Sequence, residues 1–130
     1  MPNGRRHQLG DLQLAIMRVL WERGEAGASE VHRVLHDERG LAPTTIATML
    51  RKMEDKGVVA HRVDGRQFVY RPTVEENAVR EGMVGELVRR LFEGDPNALL
   101  SHLVEAEQLD PDELERLRVR IAARRAEERR

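Results

Sequence analysis

The amino-acid sequence predicts a mainly α chain with a small β-hairpin, in two parts: three helices plus the hairpin, then a C-terminal helical tail. Three observations lead there. A helix opened by Pro43 and closed by Gly57 follows two shorter amphipathic segments, an Asp-Gly pair at 64–65 separates two β-prone runs, and beyond Pro72 apolar residues recur at helical spacing. Three helices followed by a hairpin with a basic tip make a winged helix-turn-helix domain.

Residues 1–8 are polar, with Arg5, Arg6 and His7, and read as a flexible N-terminal arm. The first helix begins near Gly10-Asp11, with Gln13 three residues after the cap position. Its buried face is Leu12, Ile16, Val19 and Leu20, Trp21 sits near its end, and Gly24 stops it. Ser29 caps a second helix, Glu30 to about Asp37, which turns Val31, Val34 and Leu35 inward. Glu38-Arg39-Gly40 then turns the chain.

The third helix has the clearest signals. Pro43 suits the first helical position, where a missing N–H costs nothing, and Gly57 suits the left-handed residue past the end. Ile46, Met49, Leu50 and Met53 fall at i, i+3, i+4 and i+7 and build one apolar stripe. That leaves Thr44, Thr45, Thr48, Arg51, Lys52 and Asp55 outside, with Thr44, Thr48 and Arg51 in line along one face. Threonine is a mediocre helix former, so three of them near a helix start point to contact with something. Ala42 holds the N-cap position without a capping side chain, which leaves N–H groups for an anion.

After Gly57 the runs Val58–Arg62 and Gln67–Arg71 flank Val63-Asp64-Gly65-Arg66, a hairpin closed by Pro72. The tail then reads as helix from Val74 to Phe92, stopped by Gly94, and a short helix from Asp95-Pro96 with Leu99, Leu100, Leu103 and Val104. A last helix is led by Asp110-Pro111-Asp112-Glu113, a cap, a first-turn proline and a capping-box acid. Its apolar residues are Leu114, Leu117 and Ile121. The tail holds more apolar stripe than a small domain needs and no second globular core, so it implies pairing with another copy through Met83, Leu87, Leu91, Leu99, Leu103, Leu114, Leu117 and Ile121. The expected organisation is thus 1–8 arm, 9–72 winged-helix domain and 73–130 helical dimerisation domain.

Composition narrows the function classes. With no cysteine, disulfides, Cys-ligated zinc and thiol switching are excluded. No apolar run is long enough to span a membrane and the N-terminus shows no signal-peptide stretch, so a cytoplasmic protein without membrane insertion is expected. Overall charge is near zero, but residues 1–72 hold 12 basic against 9 acidic residues, while 73–130 hold 10 against 14. From Pro43 to Pro72 the balance is six basic to three acidic, so the positive excess coincides with the threonine-faced helix. His32 and His36 stand i, i+4, yet no third ligand is identifiable, so no metal and no cofactor are expected. No Ser-His-Asp arrangement, phosphate loop or HExxH motif occurs, and an enzyme is not expected.

Three stretches, Leu9-Gly-Asp-Leu…Ile16-Met-Arg-Val-Leu-Trp21, Pro43-Thr-Thr-Ile-Ala-Thr-Met-Leu50 and Lys56-Gly57…Gly65-Arg66…Phe68-Val-Tyr70, together resemble the BlaI/MecI/CopY (penicillinase repressor) family. The resemblance spans about Leu9 to Ile121. It implies a homodimeric winged-helix transcriptional repressor that binds double-stranded DNA at an inverted-repeat operator through helix 43–56 and the 63–66 wing. In that setting Thr44, Thr45 and Thr48 are the candidate base readers, and Arg51, Lys52, Arg62 and Arg66 the candidate phosphate contacts. Members that control β-lactam resistance also imply a membrane sensor protease, or its downstream protease, as a partner that triggers cleavage at an Asn-Phe bond. The aligned place here reads Leu100-Ser101-His102-Leu103. Copper-responsive members carry C-terminal cysteine pairs that this chain lacks. The alternative, from another class, is a winged helix used for protein–protein contact without DNA.

Overall fold

In the computed structural model, which describes residues 8–130, helix α1 (Asp11–Arg23) turns Ala15, Ile16, Met17, Val19 and Leu20 inward and ends at Gly24, whose φ of 86° a side chain would resist. Arg5, Arg6 and His7 of the expected arm lie outside the described residues. Leu12 is only half-buried. Gly10 serves as N-cap without a side-chain bond, and Gln13 does not reach back to it. Its Nε2 instead points to the Met49 sulfur, 3.4 Å away, because packing brings that thioether alongside α1.

Ala26–Gly27 form a two-residue strand, β1, which sequence periodicity did not foresee. It pairs with β3, Ala26 opposite Tyr70 and Gly27 opposite Val69. Pairing holds Gly27 extended, at φ −78° and ψ 163°, so the next helix starts at once: α2 runs Ala28–Arg39 with Gly27 as its N-cap. Ser29 is therefore inside the first turn and is not the cap. Val31 and Leu35 are buried, whereas Val34, expected inside, stands 37% exposed at the edge of the stripe.

Helix α3 spans Pro43–Lys56, with Pro43 in its first turn and Gly57 left-handed at φ 88°. The hairpin follows as β2 (Val59–Asp64) and β3 (Gln67–Pro72), and the sheet order is β1-β3-β2. Asp64 pairs with Gln67, so the two-residue loop is Gly65-Arg66, one place later than the expected Asp-Gly turn. Gly65 takes φ 62° while Arg66 stays at negative φ, the pattern of a hairpin turn that wants glycine first.

One core unites these elements. Ile16, Met17, Leu20, Val31, Ile46, Leu50, Met53, Val58, Val59 and Val79 are all fully enclosed. Each large aliphatic buried this way contributes roughly 1.5–3 kcal/mol. Trp21 donates its Nε1–H to the Val74 carbonyl at 2.9 Å, and Val74 and Val79 belong to the same core.

The chain divides into two compact units, the described part of Met1–Gly85 and Glu86–Arg130, and helix α4 (Glu76–Phe92) runs through the division. The second unit also holds α5 (Pro96–Glu105) and α6 (Pro111–Glu128). Asp95 and Asp110 cap these two helices, accepting from the N–H of Asn97 and Asp112, both at 2.9 Å. Glu113 pairs with Arg116 at 2.7 Å and takes no part in the cap. None of residues 86–130 is buried.

Candidate nucleic-acid interface

The face of α3 is set by what its other side buries. Ile46, Leu50 and Met53 are fully enclosed, and rolling the helix by one residue would return them to water. With that stripe inward, Thr44, Thr45, Thr48, Arg51 and Lys52 are all exposed, as their spacing predicts. The Arg51 Nη2 donates to the Thr48 hydroxyl oxygen at 3.3 Å, joining a cation to a hydroxyl on one ridge. No side chain caps the helix start at Ala42.

The hairpin is tied to this helix by side chains. Glu54 of α3 meets the His61 Nδ1 of β2 at 2.6 and 2.8 Å. The His61 ring stacks on Phe68 of β3, with centroids 4.1 Å apart and planes at 16°, and tilts against Tyr70 at 5.6 Å. Helix and wing are thus held in one arrangement before any partner arrives, which reduces the ordering cost of binding.

The four cations proposed from sequence differ in their surroundings. Lys52 and Arg66 have no ion pair or hydrogen bond among the described residues, and Arg66 stands at the hairpin tip. Among the described residues Arg51 hydrogen-bonds to Thr48 alone. Arg62 is already occupied: its Nη2 and Nε reach the Glu25 carboxylate at 2.7 and 3.2 Å, with Asp64 at 4.0 Å. The hydrogen bond from Arg62 holds the Glu25 carboxyl below its ordinary pKa, and Glu25 in turn raises that of Arg62. Arg62 therefore reaches a phosphate only by leaving Glu25.

Between α3, the wing and the start of α2 lies an open cleft of about 370 Å³, lined by Ser29, Ala47, Arg51, Arg66, Gln67 and Tyr70 among others. Tyr70 is its one buried lining residue, 3% exposed. Burial pushes the Tyr70 hydroxyl above its ordinary pKa, reinforced by the Glu54 charge and opposed by Arg51, so it stays a neutral donor. Sequence reading gives no site role to Glu25, Ser29, His61 or Tyr70: Ser29 reads as a helix cap and Tyr70 only as part of the Phe68-Val-Tyr70 stretch, while Glu25 stands 37 residues from its partner.

The arrangement offers hydroxyl donors and cations, and at the start of α3 the Thr44 N–H, since Pro43 has none and Thr45 donates to the Ala42 carbonyl at 3.1 Å. Among the described residues no group of three or more His, Cys, Asp or Glu could hold a metal ion. His32 is engaged with the Leu41 carbonyl at 2.7 Å, and its ring lies 5.3 Å from that of His36. No described helix is long and apolar enough to cross a membrane.

The chain matches the family model described as penicillinase repressor over residues 9–123. It is 31% identical over 110 residues to the penicillinase repressor of Bacillus licheniformis, covering 85% of this chain and 86% of that one. It is 35% identical over 117 residues to the transcriptional regulator BlaI of Mycobacterium tuberculosis, covering 88% and 83%. Among solved structures, the solution structure of the DNA-binding domain of the repressor BlaI superposes with a TM-score of 0.50 at 35% identity, covering 55% of this chain and 87% of that domain.

Proposed function

The chain belongs to the penicillinase repressor family, and on that premise we propose that it is a homodimeric, DNA-binding transcriptional repressor. Helix α3 enters the major groove of an inverted-repeat operator and the 63–66 wing rests on adjacent backbone. The observation that supports this reading best is the exposed ridge Thr44, Thr45, Thr48, Arg51 and Lys52, presented by a helix whose opposite face buries Ile46, Leu50 and Met53. The threonines offer hydroxyls to base edges and methyls to thymine, while Arg51, Lys52 and Arg66 neutralise phosphates. Arg62 is withheld from them in the wild type by its pairing with Glu25.

Residues 9–72 act in this reading as the reader, its core completed by Val74 and Val79, and the remainder of 73–130 as the dimerisation domain. Its support is the absence of any buried residue in 86–130, where Leu87, Leu91, Leu117 and Ile121 are between 37% and 69% exposed. Leu99, Leu103 and Leu114 are half-covered and complete the surface for a second copy, whereas Met83, also half-covered, packs against the core of the winged part. A two-fold dimer matches the two-fold symmetry of an inverted repeat. Repression follows when the bound dimer excludes polymerase in the cytoplasm. A protease acting at Ser101-His102 would have to unwind α5, which contains both.

The test is selection of binding sites from a random-sequence DNA pool with the full chain, followed by titration of the selected site and a scrambled one at two salt concentrations. The expected result is enrichment of inverted half-sites about 10 base pairs apart and a steep loss of affinity with salt. No enrichment together with salt-independent binding would instead favour a protein-contact module and refute the reading.

A further inference from the structure

The cleft beside the threonine ridge combines features that neither base reading nor the wing requires. At one end α2, a 12-residue helix, begins at Gly27 with no side-chain cap, so its first-turn N–H groups and positive dipole end are available to an anion. Ser29 of that turn lines the cleft, and so do Arg51 and Arg66. The Gln67 carboxamide oxygen already rests there, 2.9 Å from where a Cβ on Gly27 would lie. Tyr70, 3% exposed, is the independent sign of a ligand: its hydroxyl makes no hydrogen bond among the described residues. A buried hydroxyl without a partner costs stability, and an arriving acceptor would recover it. Glu54, the carboxylate whose charge acts on Tyr70, is engaged by His61.

We propose that this cleft is a seat for a single backbone phosphate of the bound DNA, held by the α2 N-terminus with Ser29, by Arg51 and Arg66, and by the Tyr70 hydroxyl. The inference rests on the DNA-binding reading above. Such a phosphate fixes how far α3 sinks into the groove, so Tyr70 and Ser29 are positioning residues, distinct from those that touch bases. The chemistry required is a phosphate anion, and a free phosphate shares it. The seat is assigned to DNA because one of its two cations, Arg51, belongs to the reading helix and the other, Arg66, to the wing tip.

The experiment uses the full chain and its Tyr70→Phe and Ser29→Ala variants. Operator half-sites are prepared with one neutral methylphosphonate at each backbone position in turn. For the wild type one position should weaken binding on the order of tenfold; for Tyr70→Phe that position should lose most of its effect, with the thermal midpoint unchanged or raised. An equal penalty in both proteins, or a Tyr70→Phe variant that binds like wild type, overturns the seat while leaving the DNA reading intact. Inorganic phosphate is titrated separately, followed by the amide resonances of Ala28 and Ser29. Weak shifts that vanish in Tyr70→Phe support the seat. Tight binding of free phosphate that expels DNA at constant ionic strength overturns its assignment to DNA. A wild type with those phosphate shifts but no DNA binding refutes the DNA reading itself, and with it the backbone-phosphate assignment.

Discussion

Replacing Glu25 by Gln should make the protein bind DNA more tightly and more salt-sensitively. Glu25 grips Arg62 through two hydrogen bonds, at 2.7 and 3.2 Å, and its charge also lowers the potential around Arg71. The amide keeps the shape and removes the charge, so Arg62 becomes available to phosphate. Each cation added to a B-DNA contact raises the slope of log affinity against log salt by about 0.9, hence about 1.8 for two protomers. Over a fourfold change in salt, from about 50 to about 200 mM, the advantage of the variant should shrink by roughly tenfold. Fluorescence anisotropy with a labelled operator at several salt concentrations reads both quantities. In an Arg62→Gln background the Glu25 substitution should have almost no effect, since the group it restrains is gone. Equal affinity and equal slope for wild type and Glu25→Gln would refute the reasoning.

The same pair makes a pH prediction. Because the folded Glu25 titrates below its unfolded value, its stabilising contribution is present above the unfolded pKa and is lost as pH falls through the folded one. Thermal midpoints should favour wild type over Glu25→Gln at neutral pH, and the gap should close in acid; a gap independent of pH would contradict it. Thr48→Ala should weaken binding to the selected operator by about 1–3 kcal/mol while scrambled DNA is little affected. An unchanged ratio of the two affinities would remove Thr48 from base reading. Leu117→Glu and Ile121→Glu, on side chains 37% and 54% exposed, should shift sedimentation equilibrium toward monomer. The unfolding of the winged part, whose core ends at Val79, should stay as it was; undiminished dimerisation would relocate the interface.

The helix that carries the threonine ridge was legible from the chain alone. Pro43 at its start, Gly57 left-handed at its end and an apolar stripe every three to four residues are local terms, and the structure has α3 at Pro43–Lys56. The hairpin was equally plain, apart from the shift of its loop to Gly65-Arg66, where ladder pairing continues through Asp64. Three cap assignments fared differently. Gln13, Ser29 and Glu113 each sit at capping spacing, but Met49, the β1–β3 pairing and Arg116 respectively claim the side chain or move the helix start.

The candidate site divides along the same line. Sequence determined which residues of α3 face outward, because helical periodicity acts over a few residues and the buried stripe leaves no other choice. Tertiary structure decided that Arg62 is held by Glu25, that His61 and Glu54 lock the wing to the helix, and that Tyr70 is enclosed beside the start of α2. Those pairings join residues distant in the chain, and a charge or hydroxyl gains a partner only where packing of the core leaves the two side chains within about 3 Å of each other.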